Sequence, residues 1–393
     1  MTKAYDIAVI GGGLAGATAA LAAANAGFRT AIAAPPAPRD GRTTALMMPS
    51  LELLAEIGIW PAIKEIAAPL RSMCIIDGTS RLIRSPTVTF HASELDLDAF
   101  GYNIPNAPLL EALFASITQS DRITHHKQPL ENINSAENGV HITLKDGTGI
   151  HAELLVGADG RNSLVRSKTG ISTRAWQYPQ TAVVLNFSHQ FGHADTSNEF
   201  HTEHGPCTQV PLPGKNSSLV WANKPAETQR LLQLPVAELA VAIEERMDSV
   251  LGKVKVESKV HAFPFNGMIA RSFGKGRTVL IGEAGHVFPP IGAQGLNLGL
   301  RDVVVLMEVL SVTGGPQEAE QVTSRYNRRR GSDVVSRTAS VDLLNRTLLH
   351  DFLPVQLARS AGLAALASIA PLRNYAMREG LKPGGGLDLF RNR

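Results

Sequence analysis

The chain has 393 residues, 44% of them hydrophobic and 19% charged, with a net charge of only +3 at pH 7. That length predicts two or three domains and a sizeable core, and so small a charge gives nucleic-acid binding no compositional support. The two cysteines, Cys74 and Cys207, argue against a disulfide framework and suit a reducing compartment; MTKAYD reads directly into a core strand rather than a signal peptide, and no run of about 18 apolar residues offers a membrane span.

Tyr5 to Ile10 reads as a buried strand. It leads into Gly11, Gly13 and Gly16, spaced as GxGxxG: a tight turn, a bare backbone beside a pyrophosphate, and close helix–strand packing. Leu14 and Ala15 lie within the same turn. The segment Ala17 to Ala26 is a good helix former, Gly27 stops it as a C-cap would, and Phe28 to Ala34 reads as a second parallel strand. A GxGxxG alone is weak evidence, but between strand, helix and strand it predicts a dinucleotide site. The acidic residue that would hold the ribose hydroxyls is missing near Ala34, where the sequence runs AAPPAPRD. Asp40 substitutes only if this proline-bearing loop folds back. Losing one charged hydrogen bond costs about 1.5–3 kcal/mol of affinity.

From about Arg71 to Phe100 short apolar runs (MCIIDG, RLIRS, TVTF) alternate with polar turns, and from about Thr173 to Pro264 they do so again (TAVVLNF, CTQVPLP, SSLVWAN). Period-two runs broken by Gly, Pro, Asn and Ser predict an antiparallel sheet, with one helix expected over Val236 to Leu251. Between these stretches, Glu153 to Arg166 (ELLVGADGRNSLVR) reads as a strand, a polar turn and a helix start. It places Asp159 at the strand's C-terminal end, where open α/β sheets bind ligands. His125 and His126 read as loop residues. His201 and His204 sit in a strand-and-turn pattern without companion metal ligands.

The richest stretch is Gly282 to Asp302, GEAGHVFPPIGAQGLNLGLRD, between the strand Thr278 to Gly282 and the helical pattern RDVVVLMEVL. Gly292 and Gly295 permit close backbone approach, and the helix start offers free N–H groups to negative or electron-rich atoms. One cofactor gripped by this device and by the N-terminal one would account for both. Arg328, Arg329 and Arg330 read as a solvated helix face or a phosphate contact.

Taken together, GxGxxG, GADGRNSLVR and VLIGEAGH…PPIGAQGLNLGLRD resemble, in order and spacing, the flavoprotein aromatic hydroxylases of the para-hydroxybenzoate hydroxylase fold, and within them the ubiquinone-biosynthesis hydroxylases. The tail Arg325 to Leu381 is similar to that quinone-pathway branch. The resemblance implies an α/β fold with a Rossmann-like FAD-binding domain (1–70, 101–172 and 265–340), a discontinuous β-rich substrate domain (71–100 and 173–264) and a C-terminal helical region (341–393). It implies that Gly11, Gly13 and Gly16 face the FAD pyrophosphate, with Leu14 and Ala15 beside them, and that Arg42 reaches the phosphates or ribityl chain. It further implies that Asp159 helps place both flavin and nicotinamide, that Glu283, after Gly282, bonds a ribityl hydroxyl, and that Pro290 to Asn297 (Pro290, Gly292, Gln294, Gly295, Leu296, Asn297) line the isoalloxazine ring. Three departures stand out: the ribose acid is absent, Glu283 replaces the usual Asp, and Ala107 occupies an arginine position.

The implied activity is hydroxylation of a polyprenylphenol-type ring with O2 and NAD(P)H. With no second GxGxxG, the nicotinamide is expected to dock transiently. Such chemistry resides largely in the cofactor, in keeping with a sequence that names no nucleophile, no metal ligands and no catalytic side chain; His286 is read either as a base or as a packed hydrogen-bonding residue. Competing readings are a hydroxylase of a small soluble phenol, a flavin-dependent isoprenoid reductase, and a low-activity accessory subunit of a quinone-biosynthesis complex. The tail, apolar from Leu343 to Leu372 with Arg346, Arg359, Arg373 and Arg378 interleaved, reads either as a peripheral contact with the inner membrane face of a cytoplasmic protein or as helices covering the cofactor domain.

Overall fold

The chain's first strand is its central one. Lys3–Ile10 pairs in parallel with Thr30–Ala33 on one side and with Gly149–Gly157 on the other. A strand in that place is buried on both faces, which is why its sequence is continuously apolar: Ile7 and Val9 join one core, and Tyr5, Ala8 and Ile10 the other. The structure is a computed structural model that describes residues 3–36, 38–80, 84–290, 294–349 and 353–381.

Outward from this centre the sheet adds Ile123–His126 beyond Thr30–Ala33 and Thr278–Leu280 beyond Gly149–Gly157, both parallel. Gly149–Gly157 divides its free edge. Residues 149–152 pair antiparallel with Gly139–Leu144, and residues 155–157 pair with Thr278–Leu280. Four helices cover one face: Leu14–Asn25, Asn106–Gln119, Gln294–Thr313 and Ala319–Leu349. Leu14–Asn25 is buried from Gly16 to Ala24, so its small alanine side chains let helix and sheet approach closely. It ends as expected at Gly27 (φ +94°), where Gly27 N–H donates to Ala24 O and Phe28 N–H to Ala23 O, closing the carbonyls that a helix end leaves open.

The two β-rich stretches lie in one nine-stranded sheet. It is antiparallel except where Thr196–Thr202 runs parallel to Ser72–Asp77. The sheet continues past residue 264 through His261–Ala270 to His286–Val287, so it reaches into the glycine-rich run itself. Helices Pro225–Gln233 and Val236–Arg246 cover one face through Leu231, Leu239 and Ile243, against Val183, Phe187, Phe200 and Trp221. The second helix is shorter than the apolar pattern to Leu251 predicts, because Asp248 and Ser249 adopt left-handed backbone (both φ +51°) and break it. In the run RLIRS, residues 81–83 lie outside the described residues and Arg84–Ser85 form no strand.

Buried in that sheet, Cys207 is inaccessible, and burial pushes its thiol up to about 12. Only the thiolate reacts. A maleimide near neutral pH is therefore expected to label the native protein at Cys74 alone and the denatured chain at both cysteines. Mass spectrometry reads the count, and two native adducts would contradict this burial.

The C-terminal helices Leu353–Ser368 and Ala370–Leu381 do not lie over the parallel sheet. Met377 packs with Ala92, Leu95 and Phe100, and Arg373 Nε donates to Glu94 Oε2 at 2.6 Å, so the tail closes over the turn Ala92–Leu95. No helix among the described residues is long and apolar enough to cross a membrane.

Candidate cofactor site

The turn after the central strand is shaped by contacts that tolerate no side chain. A Cβ on Gly11 (φ +119°) would lie 2.2 Å from Ala158 O, and one on Gly16 would lie 2.1 Å from Gly11 O. Gly13 differs: a Cβ there would meet no atom within 4 Å. Gly13 is also the N-cap of Leu14–Asn25, and no side chain caps that helix or places an acid in its first turn. Unpaired N–H groups and a positive dipole end thus face an open space, a combination that favours an anion by about 0.3–1 kcal/mol from the dipole alone.

The second glycine-rich device sits against the first. A Cβ on Gly282 (φ +56°) would lie 3.4 Å from Ala15 Cβ, and one on Gly299 would lie 3.2 Å from Gly282 Cα and 3.6 Å from Ala15 Cβ. The start of the N-terminal helix, the turn Gly282–Ala284 and the helix Gln294–Thr313 therefore meet where only small residues fit. Glu283 projects from this junction, exposed, and its charge acts on Arg42. Gly295, in the first turn of its helix, is open on its Cβ side. Leu296 is partly buried and packs on the core, and Pro290 is exposed. Gly292 lies outside the described residues, and of Gln294 only the helical backbone is described.

Several expected ligand groups are already engaged by the protein. Arg42 pairs with Asp40 (Nε–Oδ1 2.8 Å, Nη2–Oδ2 2.9 Å) and lies 5.3 Å from the centre of the Phe263 ring. Asp40 Oδ2 also accepts from Asn106 Nδ2 at 2.8 Å. Burial would raise the Asp40 carboxyl, but these hydrogen bonds and the guanidinium hold it below the usual carboxylate range. Asp40 thus anchors Arg42. At the strand end, the Ala34 carbonyl is bonded to His125 Nε2 at 2.9 Å. Asp159 caps its own turn, accepting from Ser163 Oγ (2.5 Å) and from the N–H groups of Leu164 (2.7 Å) and Val165 (3.0 Å). Asn297 stitches its helix to the strand Thr43–Met47 and the helix Met48–Glu56: its Oδ1 accepts from Met47 N (2.9 Å) and Ser50 Oγ (2.7 Å), and its Nδ2 donates to Ala45 O (2.8 Å). What it offers a ligand is its backbone.

Three further charged residues hold the loops of the site together. Arg166 Nη1 donates to Ala284 O at 2.8 Å, tying the Asp159 loop to the Gly282 turn. Asp302 is completely buried; its Oδ2 accepts from Gly282 N (2.7 Å) and His286 Nε2 (2.8 Å), and its Oδ1 from Arg330 Nε (2.6 Å). Burial opposes this charge, yet Arg330 and His286 hold the carboxyl below its ordinary value. Arg330 also pairs with Asp333. It is 1% exposed, which corrects the expectation of a solvated face or phosphate contact at this position; Arg328 and Arg329 are exposed, and Arg329 pairs with Glu308. His286 is likewise 1% exposed, with Nδ1 unpartnered and Nε2 taken by Asp302. That is the packed hydrogen-bonding role rather than a base facing a substrate. His201 Nε2 is bonded to Glu199 Oε1 at 2.8 Å.

An open helix N-terminus beside a bare glycine, touching a second glycine-lined turn that carries an exposed carboxylate, fits a dinucleotide laid across both devices. The site lies on a parallel sheet with an antiparallel sheet alongside, and by its family and relatives the protein is a flavin-dependent monooxygenase. The chain belongs to the family described as FAD binding domain, matched over residues 4–339, and its cofactor is FAD. It is 32% identical to the ubiquinone hydroxylase UbiL of Rhodospirillum rubrum over 96% of this chain and 90% of that protein. It is 31% identical to the 3-demethoxyubiquinol 3-hydroxylase of Escherichia coli over 96% of this chain and 98% of that protein. Among solved structures, p-nitrophenol 4-monooxygenase PnpA from Pseudomonas putida shares the fold, with a TM-score of 0.79, 20% identity and 99% of each chain covered.

Proposed function

We propose that this enzyme hydroxylates the aromatic ring of a polyprenylphenol-type intermediate of ubiquinone biosynthesis, with NAD(P)H and O2 as co-substrates. The observation that carries the reading is likeness along almost the whole chain, tail included, to hydroxylases of that pathway. Bound FAD, reduced by NAD(P)H, supplies the oxygen-activating chemistry. The protein's task is to hold, orient and exclude water.

In this reading Gly11, Gly13 and Gly16, with Leu14 and Ala15, receive the pyrophosphate on the helix N-terminus, and Arg42, anchored by Asp40, stands over the phosphates or ribityl chain. Glu283 accepts from a ribityl hydroxyl. Pro290, Gly292, Gln294, Gly295, Leu296 and Asn297 border the ring, with Asn297 acting through its backbone, and Asp159 acts by shaping the loop that packs on Gly11. The cofactor domain is drawn from 1–70, 101–172 and 265–340 and the β-rich substrate domain from 71–100 and 173–264, whose sheet runs on through His261–Ala270 to His286–Val287; the tail follows from residue 341. The exposed Leu343, Leu357, Ile369 and Leu372 support a peripheral membrane contact through which a prenylated substrate arrives. Arg373 takes no part in it, being paired with Glu94.

Because Glu283 is exposed and makes no hydrogen bond among the described residues, Glu283→Ala is expected to leave folding intact. The loss of a charged hydrogen bond, about 1.5–3 kcal/mol, should weaken FAD binding roughly ten- to a hundredfold. Titration of apoprotein by flavin fluorescence measures it, and an unchanged dissociation constant would remove Glu283 from the site.

The activity itself is tested by reducing the purified yellow protein with NADPH under anaerobic conditions, with and without a prenylated phenol, then admitting air. Bleaching, reoxidation and a product heavier by one oxygen atom are expected. Turnover of small soluble phenols alone, or double-bond reduction without oxygen uptake, would overturn the assignment.

A further inference from the structure

The carboxylate of Asp302 bonds to both ends of the turn that presents Glu283. Its Oδ2 accepts the Gly282 N–H at 2.7 Å and His286 Nε2 at 2.8 Å, so one oxygen holds the first and last residues of Gly282–His286. Its other oxygen accepts from Arg330 Nε at 2.6 Å, a residue 28 positions away on a different helix. Gly282 sits at φ +56°, a conformation in which its N–H is directed at that oxygen. Between the two held ends Glu283 turns outward, while the Ala284 carbonyl is fixed by Arg166 at 2.8 Å.

A fully buried carboxylate is an expensive way to hold a turn, since burying an ion pair often stabilises no better than apolar packing. What the charge provides is geometry. All three donors reach a carboxylate whose two oxygens can only accept, and the cation is itself fixed by Asp333, which Arg301 also approaches at 3.4 Å. Asparagine in the same place has one accepting oxygen and one donating nitrogen. It would set donor against donor, either toward Arg330 or toward Gly282 and His286.

We propose that Asp302 is a positioning residue for the cofactor: anchored by Arg330, it fixes the Gly282–His286 turn so that Glu283 presents its carboxylate to FAD. The inference rests on FAD binding and not on the identity of the phenol. Asp302 touches neither cofactor nor substrate in this account; it acts through Glu283.

The test is FAD affinity of reconstituted apoprotein, with circular dichroism as the check on folding. Asp302→Asn is expected to weaken binding at least tenfold. Adding Arg330→Met to Asp302→Asn removes the competing donor, lets the amide oxygen face Gly282 and His286, and is expected to restore affinity to within a few-fold of wild type. In a Glu283→Ala background, Asp302→Asn should cost little further, because the group it positions is already gone.

A purely structural Asp302 would give additive losses in that background and no rescue by Arg330→Met, and either result overturns the proposal. So does wild-type affinity in Asp302→Asn. Should Asp302→Asn alone fail to fold, the double variant decides: folded with strong binding supports the assignment, folded with weak binding ends it. Failure of the wild-type apoprotein to take up FAD would refute the cofactor reading itself, before any variant is made.

Discussion

Replacing Gly13 by valine is expected to give a folded, colourless protein. The position faces open space, so the new side chain meets no protein atom near its Cβ, and the helix that Gly13 caps keeps its buried alanine face. The same open space is where an anion would rest on the free N–H groups of Leu14 and its neighbours. Valine fills it. Affinity for FAD should fall by roughly a hundredfold or more, about 2.8 kcal/mol, while thermal unfolding of the apoprotein shifts little. A variant purified with a full complement of flavin would mean that the pyrophosphate lies elsewhere.

Gly16→Val is expected to do the opposite, striking the fold before the cofactor. Its Cβ would fall 2.1 Å from Gly11 O and 3.0 Å from Ala158 Cβ, and two of the atoms it approaches most closely belong to backbone that cannot rotate away. Either the helix Leu14–Asn25 lifts from the central strand or the Gly11 turn opens. Overpacking a core commonly costs about 1–3 kcal/mol when side chains can yield, and here they cannot, so a loss of about 3 kcal/mol or more is expected in chemical denaturation of the apoprotein. Stability equal to wild type would show that the turn is looser than its contacts indicate. The contrast between two glycines three positions apart separates ligand space from packing space more sharply than either variant alone.

Much of the fold was legible because it depends on local pattern. The central strand, the alanine helix with its glycine stop, and the strands around Glu153–Gly157 and Thr278–Leu280 each carry their own period and punctuation. What local pattern does not reveal is which lone pairs and N–H groups are already engaged. Asp159 and Asn297 stand where a ligand contact is expected, yet both side chains bond to their own surroundings. Asp40 is near enough to suggest a ribose acid, but Arg42 and Asn106 occupy it. Arg330 shares a run with two exposed arginines and differs from them only once two helices pack and bring Asp302 against it. That pairing is a tertiary fact with no local trace.

The contact of Ala15 with Gly282 and Gly299 has a consequence in time. During synthesis the Gly11–Gly16 turn emerges about 270 residues before its counterpart, an interval of about 15–50 s at common translation rates. Throughout it the turn has its helix and the early partner Thr30–Ala33, but nothing on the far side to complete a pocket. A nascent chain stopped before Thr278 can build much of its parallel sheet and still offer FAD only half a grip. With FAD laid across both devices as proposed, flavin capture is expected only after the chain has grown through the helix carrying Gly299, and a yellow nascent chain stopped before Thr278 would contradict that placement.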